Sequence, residues 1–188
     1  MRPHLGRSGC PGRQNDLMDR ETLGRRIVER CRLEGEFRLR SGRTAGVYFD
    51  KYLFEADPVL LREVVQHASP LIPPDTDVLV GLELGGVPVA TALSIRTGLP
   101  AAFVRKEAKS YGTMKLAEGA DVCGRRVLIV EDVITTGGQV LLSAAALREL
   151  GANVENVLCV IDRREGRSPL DEAGMEVRVL FRSSELPS

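Results

Sequence analysis

The chain has 188 residues, 43% of them hydrophobic and 28% charged, which supports a substantial core and excludes a disordered composition. Lys plus Arg and Asp plus Glu each total 26, so no global field gathers nucleic acid or an anionic membrane, and any anion site must be local. No apolar run approaches the roughly 18 residues that span a bilayer, and no apolar stretch of a secretory signal follows the N-terminal arginines.

Four cysteines (Cys10, Cys31, Cys123, Cys159) stand far apart with no C-x-x-C pair. That usage fits a reducing, cytoplasmic setting better than disulfides or a zinc site. The two histidines, His4 and His67, leave little room for His-dependent triads.

Residues 1–17 are rich in Gly, Arg and Pro, show no period, and read as a disordered extension ahead of a natural start at Met18. The remainder, 18–188, reads as a single domain in which 18–56 form a small N-terminal subdomain. Directly after Met18, Leu23, Ile27 and Cys31 fall on one helical face. Short strands follow at 36–40 and 47–50, joined by a turn at Ser41 and Gly42. Asp57 and Pro58 look like the N-cap and first-turn proline of a helix running to about Ser69. Residues 77–82 read as a strand, 86–96 as a helix and 100–104 as another strand. The apolar run 127–130 reads as a buried parallel strand and 139–150 as a helix stopped by Gly151. Strands at 155–161 and 176–181 close the chain. Such alternation predicts an α/β fold, a central parallel sheet flanked by helices.

The most informative stretch is Val-Leu-Ile-Val-Glu-Asp-Val-Ile-Thr-Thr-Gly-Gly, residues 127–138. Glu131 and Asp132 stand where the predicted strand ends, and ligands of open α/β sheets sit just beyond strand C-termini. The loop Val133, Ile134, Thr135, Thr136, Gly137, Gly138 and Gln139 opens a helix, offering backbone N–H groups and a positive dipole end to a phosphate. Two acids beside it can accept from the vicinal hydroxyls of a ribose. The run lacks the Lys of G-x-x-x-x-G-K-S/T and any G-x-G-x-x-G, so it is neither a triphosphate P-loop nor a dinucleotide loop. Helix capping alone would not call for two acids and a T-T-G-G turn.

Three further clusters bear on it. Arg105, Lys106 and Lys109 put three cations in five residues after a strand, followed by Tyr111, Gly112 and a polar run to Gly119. That composition suits a lid that neutralises a polyanion and excludes water; alone, it would pass for a solvated loop. Leu84 and Gly85 lie in a second strand-to-helix turn that can offer amides to another anion, such as a diphosphate. Arg40 and Arg43, with Tyr48 and Phe49, can hold a planar anionic ring, although strand alternation sends one aromatic of such a pair inward. Arg163, at the end of the 155–161 strand, suits bidentate carboxylate recognition.

These pieces, in this order, resemble the type I phosphoribosyltransferases, and the F-R-L-R-S-G-R, Y-F-D-K, R-K-E-A-K-S-Y-G and I-D-R segments resemble their orotate-specific branch. The similarity runs from about Leu23 to Phe181. It implies transfer of a phosphoribosyl group from phosphoribosyl diphosphate to orotate with Mg²⁺, a homodimer whose lid reaches the neighbouring active site, and no nucleic acid or membrane partner. It also implies that Glu131 and Asp132 bind the ribose hydroxyls while 133–139 cradle the sugar phosphate. Arg40, Arg105, Lys106, Lys109 and Tyr111 would contact phosphoribosyl diphosphate, with Leu84 and Gly85 as its diphosphate loop. Tyr48, Phe49, Thr135 and Arg163 would contact orotate, and Lys109 and Asp132 would be the catalytic pair. No side chain is expected to ligate the metal directly. Tyr111 replaces a His common in the family, Leu84-Gly85 an aromatic–Lys pair, Glu131 an Asp, and Arg40 a usual Lys. Transfer to a purine or uracil, or a non-catalytic regulator binding phosphoribosyl diphosphate, are the competing readings. A regulator of nucleic acid would call for a basic face and more than 4% aromatics.

Overall fold

The computed structural model describes residues 17–38, 42–106 and 116–187. Residues 1–16 of the expected extension at 1–17, and Ser41 of the expected turn at Ser41 and Gly42, lie outside them.

Helix α1 (Arg20–Cys31) begins where the Asp19 carboxylate accepts from the Thr22 N–H at 2.8 Å, and it buries Leu23, Ile27 and Cys31. Strand β1 (Arg32–Arg38) follows without a break and pairs antiparallel with β2 (Thr44–Phe49) as a two-stranded ribbon. The first strand thus starts at Arg32 rather than at 36. A register shift between Glu34 and Phe37 breaks its alternation, which hid the period. A short helix α2 (Tyr52–Glu55) leads to α3 (Pro58–Ala68), whose Asp57 cap accepts from the Val59 and Leu60 N–H groups.

The rest alternates: β3 (Val78–Leu82), α4 (Gly86–Thr97), β4 (Ala101–Val104), β5 (Ala117–Gly119), β6 (Arg126–Ile134), α5 (Gly138–Glu149), β7 (Asn153–Asp162), α6 (Pro169–Glu172) and β8 (Glu176–Arg182). The central sheet has the order β5-β4-β3-β6-β7-β8 and is parallel except for β5, an antiparallel edge strand too short to show a period.

Alternation divides the sheet between two cores. Leu79, Leu128, Val130 and Leu158 pack with α1, α3 and α4, whereas Val80, Ile129, Val157 and Cys159 pack with α5 and α6. A parallel sheet covered on both faces explains why these strands read as continuous apolar runs. From β3 the chain steps outward to β4, then returns to β6 on the other side of β3. That reversal opens a crevice at the C-terminal ends of β3 and β6, where such sheets bind ligands. One boundary needs correcting. β6 does not end at Val130 but runs through both acids to Ile134, because β7 pairs with Glu131, Val133 and Ile134. No helix among the described residues is long and apolar enough to cross a membrane.

Candidate active site

Beyond β6 the chain turns through Thr135, Thr136 and Gly137 into α5. Gly137 takes φ +82°, a left-handed backbone that would strain a side chain, and it gives the first turn of α5 no side-chain cap. The uncapped amides adjoin a cleft of about 130 Å³ lined by Glu131 and residues 133–140. Thr135, Thr136 and Gln139 are exposed there. The whole predicted phosphate loop is therefore one concave surface with a positive helix end.

Within β6 the two acids diverge, since successive strand residues leave opposite faces. Glu131 lines the loop cleft. Asp132 is fully buried and is covered by Lys51, whose Nζ lies 2.8 Å from Oδ2 and donates to Oδ1 at 3.0 Å. The Val133 N–H also donates to Oδ1, at 2.8 Å. Burial, the largest single influence, would lower the Lys51 pKa, but the hydrogen bond to Asp132 and the charges of Asp132 and Glu131 together outweigh it and hold the ammonium above its usual range. Glu55, at the end of α2, is 7% exposed and its carboxyl is in hydrogen-bond contact with Asp132. Burial, and then that contact, push its pKa up to about 9. Burial, with the Asp132 charge second, pushes Glu131 up to about 8.

The turn after β3 closes on this cluster. A Cβ on Gly85 would stand 2.0 Å from Asp132 Oδ2, so the turn backbone approaches the carboxylate as closely as a glycine allows. Leu84 is exposed beside it, and the Glu83–Leu84 peptide bond is cis. The Lys106 N–H donates to the Glu83 carboxylate at 3.1 Å, and the Arg105 N–H to the Leu116 carbonyl at 3.0 Å. These bonds fix the root of the cationic segment beside the turn, near enough for the Lys106 charge to act on Glu131.

On the other flank, Phe49 and Arg163 line one cleft of about 220 Å³ with aliphatic walls from Val28, Ile161 and Leu186. The Arg163 N–H donates to the Ile134 carbonyl at 2.8 Å, which ties this cleft to the strand bearing the acids. Tyr48 stands apart from Phe49: it is exposed, and its ring pairs with Phe37 at a centroid distance of 5.5 Å. The two expected base-flanking aromatics thus leave opposite faces of β2. Arg40, Lys109 and Tyr111 lie outside the described residues.

Residues 60–180 match the model of the phosphoribosyl transferase domain family. The orotate phosphoribosyltransferase of Nocardioides sp. is 57% identical over 166 residues, covering 88% of this chain and 93% of that protein. The chain belongs to the orotate phosphoribosyltransferase family. Among solved structures, the Mycobacterium tuberculosis orotate phosphoribosyltransferase bound to Fe(III) dicitrate superposes with a TM-score of 0.81 at 32% identity, over 90% of this chain and 99% of that one. The same enzyme in complex with 5-phospho-α-D-ribosyl 1-diphosphate gives 0.72 at 31% identity, over 88% and 97%.

Glu55 escaped the sequence reading, and Lys51 entered it only within the Y-F-D-K segment, without its contact to Asp132. Lys51 and Glu55 are four residues apart, the spacing that stacks side chains on one helical face, and both reach Asp132. The signal was that spacing within Lys-Tyr-Leu-Phe-Glu; it was masked because a four-residue helix has too few turns to show a period.

Proposed function

We propose that the chain catalyses transfer of the phosphoribosyl group from phosphoribosyl diphosphate to orotate, yielding orotidine monophosphate and diphosphate. The observation that carries this reading is the cleft shared by Phe49 and Arg163, tied by the Arg163 N–H to the strand that bears the two acids. A guanidinium at the rim of an aromatic-walled cleft suits a flat base bearing a carboxylate, which a purine lacks.

The chemistry follows from charge. Breaking the anomeric bond leaves an oxocarbenium-like sugar and a diphosphate of growing negative charge. The amides of 133–139 hold the sugar phosphate, and Glu131 and Asp132 accept from the ribose hydroxyls. Arg105, Lys106 and Lys109, with Arg40 and Tyr111, offset the leaving diphosphate, and Leu84 and Gly85 turn beside it. Such fixed charges act where charge develops. Thr135, Phe49 and Tyr48 complete the orotate side. Orotate ionises readily at the attacking nitrogen, so no strong base is needed, in keeping with the scarcity of histidine.

Mg²⁺ fits this scheme as a hard cation carried by diphosphate oxygens, ribose hydroxyls and water. Among the described residues no three acids, histidines or cysteines stand where they could cage a metal ion, and the cleft presents one carboxyl, that of Glu131, beside hydroxyls and backbone amides. When bound, the ion would supply charge stabilisation to the leaving group. A cytoplasmic homodimer, each lid closing over its neighbour's site, completes the proposal.

The test is loss of orotate absorbance on mixing with phosphoribosyl diphosphate and Mg²⁺. Product at the position of orotidine monophosphate is expected. Turnover of a purine or uracil without orotate would sink the reading.

A further inference from the structure

Glu55 has no part in the scheme above, yet it is buried against its most buried acid. Its Oε1 is buried without a donor, the Oδ2 of Asp132 has only the Lys51 ammonium 2.8 Å away, and the two side chains adjoin. Ionised carboxylates are acceptors only and cannot bond each other; a single proton between them makes one a donor. The remaining charged groups set which one holds it. Lys51, from the N-cap of α2, already donates to Asp132, whereas no donor reaches the Oε1 of Glu55. Glu131 adds a further carboxyl from β6, and on the α1 side the facing titratable group is the buried Cys31 thiol, pushed up to about 11 by burial. Three carboxyls thus surround the Lys51 ammonium, with Lys106 acting on Glu131 from the turn side.

We infer that Glu55 is a positioning residue: a neutral carboxylic acid whose O–H donates to Asp132 and, with Lys51, clamps that carboxylate in the orientation that receives the ribose hydroxyls. α2 serves as a two-point clamp, one turn long, joining the N-terminal segment to the sugar site. A donor on one oxygen and an ammonium on both leave Asp132 no freedom to rotate, so its orientation cost is met in folding rather than on binding. The inference rests on the reading of Asp132 as a ribose ligand.

The full chain is compared with Glu55→Gln and Glu55→Ala by infrared spectroscopy and by calorimetric affinity for phosphoribosyl diphosphate, neither of which needs turnover. The unsubstituted chain at neutral pH is expected to show, beside the carbonyl stretch of the buried Glu131 carboxyl, a second neutral-acid band that Glu55→Gln removes. Affinity should fall about tenfold or more in Glu55→Ala, one lost charge-assisted hydrogen bond, and stay within about threefold in Glu55→Gln, whose amide also donates. Absence of that band, or a loss in Glu55→Gln equal to that in Glu55→Ala, overturns the inference. Should Glu55→Ala fail to fold, the band and the affinity of Glu55→Gln decide. Intact affinity without orotate turnover would sink the assignment of the base and leave the clamp standing.

Discussion

Lys51 closes over Asp132: its ammonium stands 2.8 Å from a carboxylate oxygen on a residue with no exposed surface, while Lys51 itself is 31% exposed. In the proposed reaction a ribose hydroxyl would have to reach Asp132 past Lys51. Replacing Lys51 with Met keeps the stem and deletes the charge. Removing one partner of a fully buried pair costs about 3–5 kcal/mol, and the partial exposure of Lys51 scales this to about 1–2 kcal/mol. Urea unfolding should show that loss, with weaker binding of phosphoribosyl diphosphate. Unchanged stability would mean that the Lys51 ammonium adds nothing to the fold at this pair.

The same cluster makes stability depend on pH. Glu55 and Glu131 rise from an ordinary 4.5 to about 9 and about 8. Between those limits the folded state keeps protons that the unfolded chain has lost, so the stabilisation is complete below 4.5 and disappears as pH climbs through 8 to 9. The slope is at most about 1.4 kcal/mol per pH unit for each group. Lys51, raised from 10.5, acts in the same sense only above that pH. Chemical unfolding between about pH 6 and pH 9 should show stability falling, and falling less steeply in Glu55→Gln. A flat profile in the unsubstituted chain would mean that both acids are already ionised in the fold.

Gly85 is where sequence and packing meet most tightly. An added methyl would lie 2.0 Å from Asp132 Oδ2 and 2.3 Å from its Cγ. Either the turn or the carboxylate must move, at a cost of about 1–3 kcal/mol for overpacking. Gly85→Ala should lower the unfolding midpoint and, if Asp132 binds the ribose as proposed, depress turnover together. Normal turnover in a destabilised Gly85→Ala would show that the turn, not Asp132, gives way.

The parallel sheet, its helices and the glycine turn into α5 were legible because both faces of the sheet are covered and its central strands carry runs of apolar residues. The end of β6 was not, because Glu131 and Asp132 look like the close of a strand while β7 holds them in register. The part played by Lys51 and Glu55 was hidden for a related reason. Their importance lies in a contact across about 80 residues of chain, between a one-turn helix and a central strand, which no local pattern encodes. The separation of Tyr48 from Phe49, by contrast, follows from strand alternation alone.

Lys109 carries the prediction for the lid. If its ammonium meets the diphosphate as charge develops there, its contribution is larger in the transition state than in the bound substrate. Lys109→Ala should then lower kcat by about 100-fold or more, with little change in KM for phosphoribosyl diphosphate. A matching loss of substrate affinity would instead make Lys109 a ground-state binding residue.

Arg163 tests the choice of base. Its backbone is fixed to β6 by the bond to the Ile134 carbonyl, and next to it Arg164 is locked against Asp162 at 2.8 Å, so the loop that presents Arg163 is anchored on both sides. The burial of Asp162 would raise its pKa, but Arg164 prevails and keeps it ionised, which preserves the anchor across neutral pH. Truncating Arg163 therefore removes a guanidinium from a fixed position without loosening the loop. Arg163→Ala should raise KM for orotate by about 10- to 100-fold, the worth of a charge-assisted bidentate contact, and leave the affinity for phosphoribosyl diphosphate within about threefold. Arg163→Lys should recover part of the loss, since a point charge replaces the fork. Equal losses for both substrates would place Arg163 at the diphosphate rather than at the base.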